Sequence, residues 1–264
     1  MRILFVGDVH GKPGRRILKE RLPRLRTRFE ANLVIVNGEN AAGGAGITAE
    51  VVQELLATGA DVITGGNHSW HQRDASEVLD AEPRLLRPLN YPAGSPGRGS
   101  TVVAASRNAA RVAVLNALGR VFNPVPIEDP FRLLRAEVDR LRQQTAVIVV
   151  DLHAEATSEK IAMGWYLDGK VSAVIGTHTH VQTADERVLP GGTAHITDVG
   201  MTGPLDGVLG MDRERIIERF LTAQPVRFEV AAGPAQLNAV ALDIDEDSGR
   251  ARSIERIREF DDAD

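Results

Sequence analysis

Five short stretches of this chain carry side chains that bind metals: Gly7-Asp8-Val9-His10-Gly11, Asn37-Gly38-Glu39-Asn40, Gly65-Gly66-Asn67-His68, Asp151-Leu152-His153-Ala154-Glu155 and Gly176-Thr177-His178-Thr179-His180. Of the seven histidines, five lie in these stretches, His71 follows His68 closely, and His195 stands apart. A carboxylate can bridge two cations, an amide oxygen adds a neutral hard ligand, and imidazoles fill the remaining positions. Two cations roughly 3.5–4 Å apart can clamp the attacking and leaving oxygens of an in-line displacement at phosphorus. The chemistry this implies is phosphoester hydrolysis. His178 and His180 alternate with Thr179, so in an extended loop both rings can face one side. Taken singly, each residue has a plainer use: an Asp after a strand caps or turns the chain, and Asn67 can occupy a left-handed turn. The joint occurrence carries the reading.

The elements that must position these residues are legible as well. Apolar runs at Ile3 to Val6, Leu33 to Val36, Asp61 to Thr64, Ala146 to Val150 and Val171 to Ile175 read as buried strands, and each is followed by one of the five stretches. Open α/β sheets place their ligand sites at such strand ends. Helical patterns fall at Arg15 to Phe29, opened by Pro13, and at Thr48 to Ala57, Pro130 to Gln143 and Ser158 to Leu167. This alternation implies an α/β fold with parallel pairing. Thr101 to Ala105 with Arg111 to Asn116, and Phe228 to Ala231 with Leu237 to Ile244, read as two β-rich pairs, so a second, partly antiparallel sheet is expected. The Pro/Gly-rich stretch Pro88 to Gly99 suits either an edge loop between sheets or a linker. Acidic clusters at Asp243 to Asp247 and Asp261 to Asp264 read as solvated ends.

With 264 residues, 43% hydrophobic and 25% charged, the chain can bury one sizeable core, and a single domain over 1–264 is expected. Its 31 Lys and Arg against 36 Asp and Glu give a net charge of -5, so no global positive field favours stable nucleic-acid binding or an acidic membrane. There is no cysteine, so any metal must be held by His, Asp, Glu or Asn, a donor set that suits Mn, Fe or Zn without choosing among them. The N-terminal apolar run is too short for a signal peptide or a membrane span, and a cytoplasmic setting is expected.

Gly-Asp-x-His-Gly at Asp8, Gly-Asn-His at Asn67 and Gly-Thr-His-Thr-His at His178 resemble the ordered signature of the calcineurin-like metallophosphoesterases. More narrowly, Asn37-Gly38-Glu39-Asn40, Gly65-Gly66-Asn67-His68, Asp151 to Glu155 and Thr197-Asp198-Val199-Gly200-Met201-Thr202-Gly203 resemble the YmdB-like bacterial 2',3'-cyclic-nucleotide 2'-phosphodiesterases, nearly end to end. The resemblance implies a four-layer α/β/β/α sandwich with mixed sheets and two transition-metal ions. It implies that Asp8, Glu39, Asn40 and His180 hold one ion, that Glu39, Asn67, His153 and His178 hold the other, and that His68 protonates the leaving oxygen. The reaction expected is attack on phosphorus by a hydroxide bridging the ions, on a small phosphodiester that is a cyclic nucleotide, and self-association is expected too. A phosphomonoesterase or phosphoprotein phosphatase with the same metals, and a non-catalytic regulator keeping the fold, are the alternatives. His10 departs from the narrower pattern, where the position is commonly apolar, so its role between ligand and supporting histidine stays open.

Other residues have two uses. Trp70 and His71 could wall the pocket or simply pack, and Arg15 and Arg16 could meet a phosphate or serve as solvated helix charges. The Gly43 to Gly46 run could approach a ligand closely, although a flexible turn is the simpler reading. Glu155, Thr157 and Glu159 could orient His153 or cap the helix that follows, and capping is expected.

Overall fold

Alternate residues of each central strand enter different hydrophobic cores, and this sets the layering. Leu4, Val6, Val34 and Val36 pack with Ile17, Leu18, Leu22, Val52 and Leu55 of two helices. Their neighbours Ile3, Phe5, Leu33 and Ile35 point the other way, against Val112, Val114, Val147, Val149 and Ile175. Ala113, Leu115, Ile148, Val150 and Val174 then face Leu134, Val138 and Met163 of two further helices. Three cores thus separate four layers, helix, sheet, sheet and helix.

In the computed structural model, which describes residues 1–106 and 110–261, the first half contains β1 (Arg2–Val6), β2 (Asp8–Val9), α1 (Gly11–Arg28), β3 (Leu33–Asn37), α2 (Ala49–Thr58), β4 (Val62–Thr64), α3 (Ala75–Ala81) and β5 (Leu85–Leu86). Next come β6 (Ser100–Ala104), β7 (Arg111–Leu118), α4 (Pro130–Leu141), β8 (Val147–His153), α5 (Thr157–Tyr166) and β9 (Ala173–Thr177). The chain continues through β10 (Arg187–Val188), β11 (Ala194–Ile196), β12 (Met201–Pro204), α6 (Arg213–Thr222), β13 (Ala235–Ile244) and β14 (Ala251–Phe260). One sheet runs β2-β12-β13-β1-β3-β4-β5 with β14 on β13, and the other runs β10-β11-β9-β8-β7-β6. β1, β3, β4 and β5 are parallel, as are β7, β8, β9 and β11, while β13 is antiparallel to β1. Both sheets are therefore mixed. No described helix is long and apolar enough to cross a membrane.

Local chemistry explains where elements begin and end. Asp129 caps α4 by accepting from the backbone N–H groups of Phe131 and Arg132, with Pro130 opening the helix. Thr48 caps α2, and Gly59 closes it at φ 114 in the left-handed region. Gly7 lets the end of β1 pass the chain after Val199: a Cβ there would lie 1.9 Å from the Gly200 carbonyl oxygen.

Three expectations from sequence need correction. Phe228 to Ala231 is no strand; it makes one isolated bridge, Met211 to Val230, and the partner of β13 is β14. That pair extends the first sheet, so the second is antiparallel only at its edges, β6 on β7 and β10 on β11. Asp261 is not a solvated end, because it pairs with Arg16 at 2.7 Å and accepts from the Ala235 N–H at 2.6 Å; Asp262 and Asp264 lie outside the described residues. Pro88 to Gly99 is the edge loop, carrying the chain from β5 in one sheet to β6 in the other.

Candidate metal centre

The carboxyl ends of β1, β3 and β4 deliver Asp8, Glu39, Asn40 and Asn67, and those of β8 and β9 deliver His153, His178 and His180. The two sheets meet here. Asn37 ties three strand ends together, donating to the Gly65 carbonyl at 3.1 Å and to Asp151 Oδ2 at 3.0 Å while accepting from the Glu39 N–H at 3.1 Å. Asp8, Glu39, Asn40 and His153 are at most 1% exposed, and Asn67, His178 and His180 are half-buried. One donor atom each from Glu39, His153 and His178 lie within 4.8 Å of one another, as do those from Asp8, Glu39 and His180. Glu39 belongs to both groups. Asn67 Oδ1 is 3.0 Å from His153 Nε2, and Asn40 Nδ2 is 2.9 Å from Glu39 Oε1 and 3.2 Å from His180 Nε2.

Hydrogen bonds on the outer sides of the rings decide which nitrogen faces inward. The Thr177 hydroxyl donates to Asp151 Oδ1 at 2.7 Å, so its oxygen must accept from His153 Nδ1 at 2.8 Å. His178 Nε2 lies 3.1 Å from Glu155 Oε2, and His180 Nδ1 lies 3.0 Å from the Leu209 carbonyl, both of which only accept. His153 Nε2, His178 Nδ1 and His180 Nε2 are thereby turned into the cluster, where each offers a lone pair when its ring is neutral.

This donor set fits metal ions. His153 Nε2 has Glu39 Oε1, Asn67 Oδ1 and His178 Nδ1 around it, each at 3.0 Å. One proton there can answer one acceptor, whereas a cation answers all of them. Asp8 Oδ1 is buried without a hydrogen-bond partner among the described residues. Gly66 completes the cradle, since a Cβ would sit 2.1 Å from Glu39 Oε2 and 2.6 Å from His153 Nε2. The electrostatics agree. Burial would lower the His153 pKa, but Glu39, with Asp8 and Asp151, outweighs it and lifts it to about 9. Burial lifts Asp8 to about 7 against the pull of His153 and His180. Burial would also raise Glu39, yet His153, His68 and His178 hold it below the usual carboxylate range. A cation entering here must displace the His153 proton.

His68 belongs to neither three-donor group. Its Nδ1 lies 2.6 Å from Asn40 Oδ1, its ring stacks edge-on against His71 at 4.6 Å, and burial lowers its pKa. With Nδ1 committed to Asn40, Nε2 is free to face a bound group. His10 is 1% exposed, neither ring nitrogen has a hydrogen-bond partner among the described residues, and its ring lies 5.5 Å from that of His180. Burial first, then His180, lowers it to about 3, so the ring is neutral and able to act as a ligand.

The remaining candidates divide. Trp70 packs edge-on against Tyr91 at 5.5 Å, while His71 lies at the site against His68. Arg15 is engaged by Glu54 at 2.7 Å and by the Ala41 carbonyl, and Arg16 by Asp261. Gly43, Gly44 and Gly46 all adopt positive φ, which makes the run a tight turn. The capping role expected for Glu155, Thr157 and Glu159 is not found: the α5 N-cap, Ala156, has no side-chain cap bond. Glu155 reaches His178, and Glu159 accepts from the N–H groups of Arg120 and Val121 at 2.8 and 3.1 Å. Sequence reasoning also misses Thr177, Asp151, Asp198 and Lys160 as supports. Asp151, Thr177 and Asp198 stand inside the quoted motifs, where they could have been singled out; Lys160 is one basic residue in an amphipathic helix and gives no such signal.

A buried cluster of carboxylates, amides and inward-facing imidazoles, on the rim shared by two mixed sheets between helices, defines a metal-dependent phosphoesterase. The chain belongs to the YmdB-like family, whose model, for YmdB-like protein, matches residues 4–257. It is 54% identical over 257 residues to the 2',3'-cyclic-nucleotide 2'-phosphodiesterase of Bacillus subtilis (strain 168), covering 97% of this chain and 96% of that protein. Among solved structures it is similar to a hypothetical protein from Thermus thermophilus, with 40% identity, a TM-score of 0.92, and 98% and 99% of the two chains covered. It is likewise similar to a phosphatase from Mycoplasma pneumoniae, with 38% identity, a TM-score of 0.91, and 98% and 93% covered.

Proposed function

We propose that this chain hydrolyses 2',3'-cyclic nucleotides to 3'-nucleotides with two metal ions, one held by Asp8, Glu39, Asn40 and His180 and the other by Glu39, Asn67, His153 and His178. The observation that carries the dinuclear reading is that Glu39 is common to both three-donor groups. Both sheets contribute ligands, which supports treating 1–264 as one functional domain. Fe, Mn and Zn all match the donors. When bound, the metals would supply Lewis acidity for the phosphoryl oxygens and ease deprotonation of water. The protein's own groups do the rest. Glu39, drawn to its anionic form by three histidines, supplies negative charge between the two positions. Asn67 Oδ1 adds a neutral oxygen donor, Asn40 would add one once its amide turns, since its Nδ2 now faces Glu39 and His180, and the Gly66 cradle keeps bulk out of the cluster. With the Asn40 amide turned so that Oδ1 meets the ion and Nδ2–H donates to His68 Nδ1, the neutral His68 ring would carry its proton on Nε2 and deliver it to the departing 2'-oxygen as its bond to phosphorus breaks. That cleavage leaves the phosphate on the 3'-oxygen.

The test is a turnover panel of cyclic nucleotides, linear diesters and monoesters after loading with each metal, with chromatography of early product. Preference for the cyclic diester and a 3'-monophosphate product are expected. A 2'-monophosphate, or preference for simple monoesters, refutes the reading. Self-association is part of it, supported by α6, which buries no residue and exposes Phe220 and Leu221 at 83% and 80%. A Phe220→Glu/Leu221→Glu chain should sediment as a smaller species than the parent, and equal masses would remove α6 from any interface.

A further inference from the structure

Beside the metal centre, on the side of His153 and His178, lies a cavity of about 230 Å³. Its floor is formed by these two rings and Asn67, so whatever fills it must be continuous with the group at the cluster. Its walls are mixed, apolar from Leu118, Phe122 and Pro124 and polar from Asn123 and Glu155. Phe122 is the unusual member. It is 84% exposed, and it sits at φ 62, a left-handed conformation that a bulky side chain adopts only when its surroundings impose it.

The surroundings do impose it. Glu159 accepts from the N–H groups of Arg120 and Val121, and the Gly119 N–H donates to the His153 carbonyl at 2.9 Å. Asn123 Nδ2 donates to the Gly119 carbonyl and its Oδ1 accepts from the Val125 N–H, both at 3.0 Å. The turn carrying Phe122 is thus fastened both to the strand that bears His153 and to α5. Fixing an aromatic face in water contributes nothing to the hydrophobic core, but it does supply a stacking surface beside a reactive centre. Because the Asn123 amide is engaged at both ends in the turn and Glu155 Oε2 is engaged by His178 Nε2 at 3.1 Å, what Phe122 adds to the wall is planar contact rather than hydrogen bonds that would read one base.

We infer that Phe122 is a specificity-determining residue, a platform on which the nucleobase of the substrate stacks while its cyclic phosphate lies at the metals, with little discrimination among the four bases. The inference rests on the diesterase reading above. Stacking a base on an aromatic side chain tolerates every base, since each has a π-face, and is worth about 5- to 100-fold in affinity.

The test compares the parent with Phe122→Ala and Phe122→Trp, at equal metal content, on the four 2',3'-cyclic nucleotides and on methyl riboside 2,3-cyclic phosphate, which has the same reacting ring and no base. The parent should favour all four nucleotides over the base-free ester. Phe122→Ala should lose about 5- to 100-fold of that preference, chiefly through KM, and Phe122→Trp should keep it. An unchanged preference in Phe122→Ala, or a change in oligomeric mass as its sole effect, overturns the inference. Turnover of monoesters with none of any cyclic nucleotide by the parent overturns the diesterase reading itself, and this inference with it.

Discussion

Replacing Thr177 by Val keeps the shape of a fully buried side chain and removes one hydroxyl. That hydroxyl does two things: it accepts from His153 Nδ1 and donates to Asp151 Oδ1. Without it the imidazole loses the contact that keeps a proton on Nδ1, and in the neutral ring the proton can move to Nε2, the nitrogen turned to the cluster. Leaving a buried polar group unsatisfied costs about 1–3 kcal/mol. Losing the outer partner of a ligating histidine typically costs about 10–100-fold in metal affinity, which is about 1.4–2.7 kcal/mol, so the two routes to the number agree. The loss should be confined to the position served by His153, because none of the hydrogen bonds of Asn40 or His180 involves Thr177. Chelator competition followed by metal analysis would show one ion leaving about 10–100-fold more readily and the second nearly unaffected. Thr177→Ser, which keeps the hydroxyl, should stay close to the parent. A Val variant that holds both ions as tightly as the parent would refute the claim that this hydroxyl sets the ring.

Glu39→Gln keeps the side-chain shape but removes the charge shared by both positions, so dinuclear occupancy should fall and turnover nearly vanish, whereas His10→Ala should lose about 10–100-fold; metal content and turnover at saturating Mn check both, and the reverse ranking would put His10 in the ligand set in place of the bridging assignment. His68→Ala should keep its metals and slow by about 10²–10⁴-fold on a poor leaving group but far less on a nitrophenyl ester, and equal losses on both would remove the proton-donor role. Burial by itself depresses the His153 pKa, but Glu39 lifts it to about 9 from 6.5, so its contribution to the stability of the metal-free chain is full below about 6.5 and is lost as pH rises through about 9. Thermal melts of the metal-free chain should therefore fall between pH 7 and 9 as this contribution is lost, while calorimetry in buffers of differing ionisation enthalpy should detect proton release on metal loading at pH 8, and a proton-neutral titration would contradict the shift.

The legible parts of this molecule are those where one physical signal dominates. Ile3 to Val6 and Leu33 to Val36 read as strands because they are buried on both faces and end in glycine-bearing turns. The seven ligand-type residues are legible because each follows such a strand. β14 is not: Arg252, Glu255, Arg256, Arg258 and Glu259 crowd an edge strand whose outer face is solvated, and the charges mask its alternation. β2, β10 and β12 are too short to show a period; β2 and β12 exist through pairing with residues far along the chain, as Asp8 does with Met201, and β10 through a short hairpin with β11. Phe228 to Ala231 shows the converse failure, a β-prone run with no neighbouring edge to pair with beyond one bridge. Glu155 and Glu159 occupy positions where capping is the local default, and long-range partners, His178 and the 120–121 backbone, win instead.

The last of these long-range arrangements explains how two histidines can be held ready. His178 and His180 both adopt positive φ, at 102 and 65, conformations that cost about 1–3 kcal/mol each for residues with a Cβ. Asp198 offsets that cost from below. Its Oδ2 accepts from the Thr179 N–H at 3.0 Å, the Thr179 hydroxyl at 2.7 Å and Lys160 Nζ at 2.6 Å, and its Oδ1 accepts from the Gly200 N–H at 2.8 Å. Lys160 and Asp198 are buried almost completely, and an ion pair of that kind adds little net stability, although removing one partner costs about 3–5 kcal/mol. Its value is therefore geometric: it pins the residue between the two histidines, so that both rings turn toward Asp8 and Glu39 on the other sheet. Since Glu39 Oε1 and His153 Nε2 approach to 3.0 Å across the same gap, ions bound there would clamp the two sheets at the rim of the core that Phe5 and Ile35 form with Val114 and Val149. Folding of the sandwich and assembly of the metal site are thus one packing problem, solved at the seam where the sheets meet.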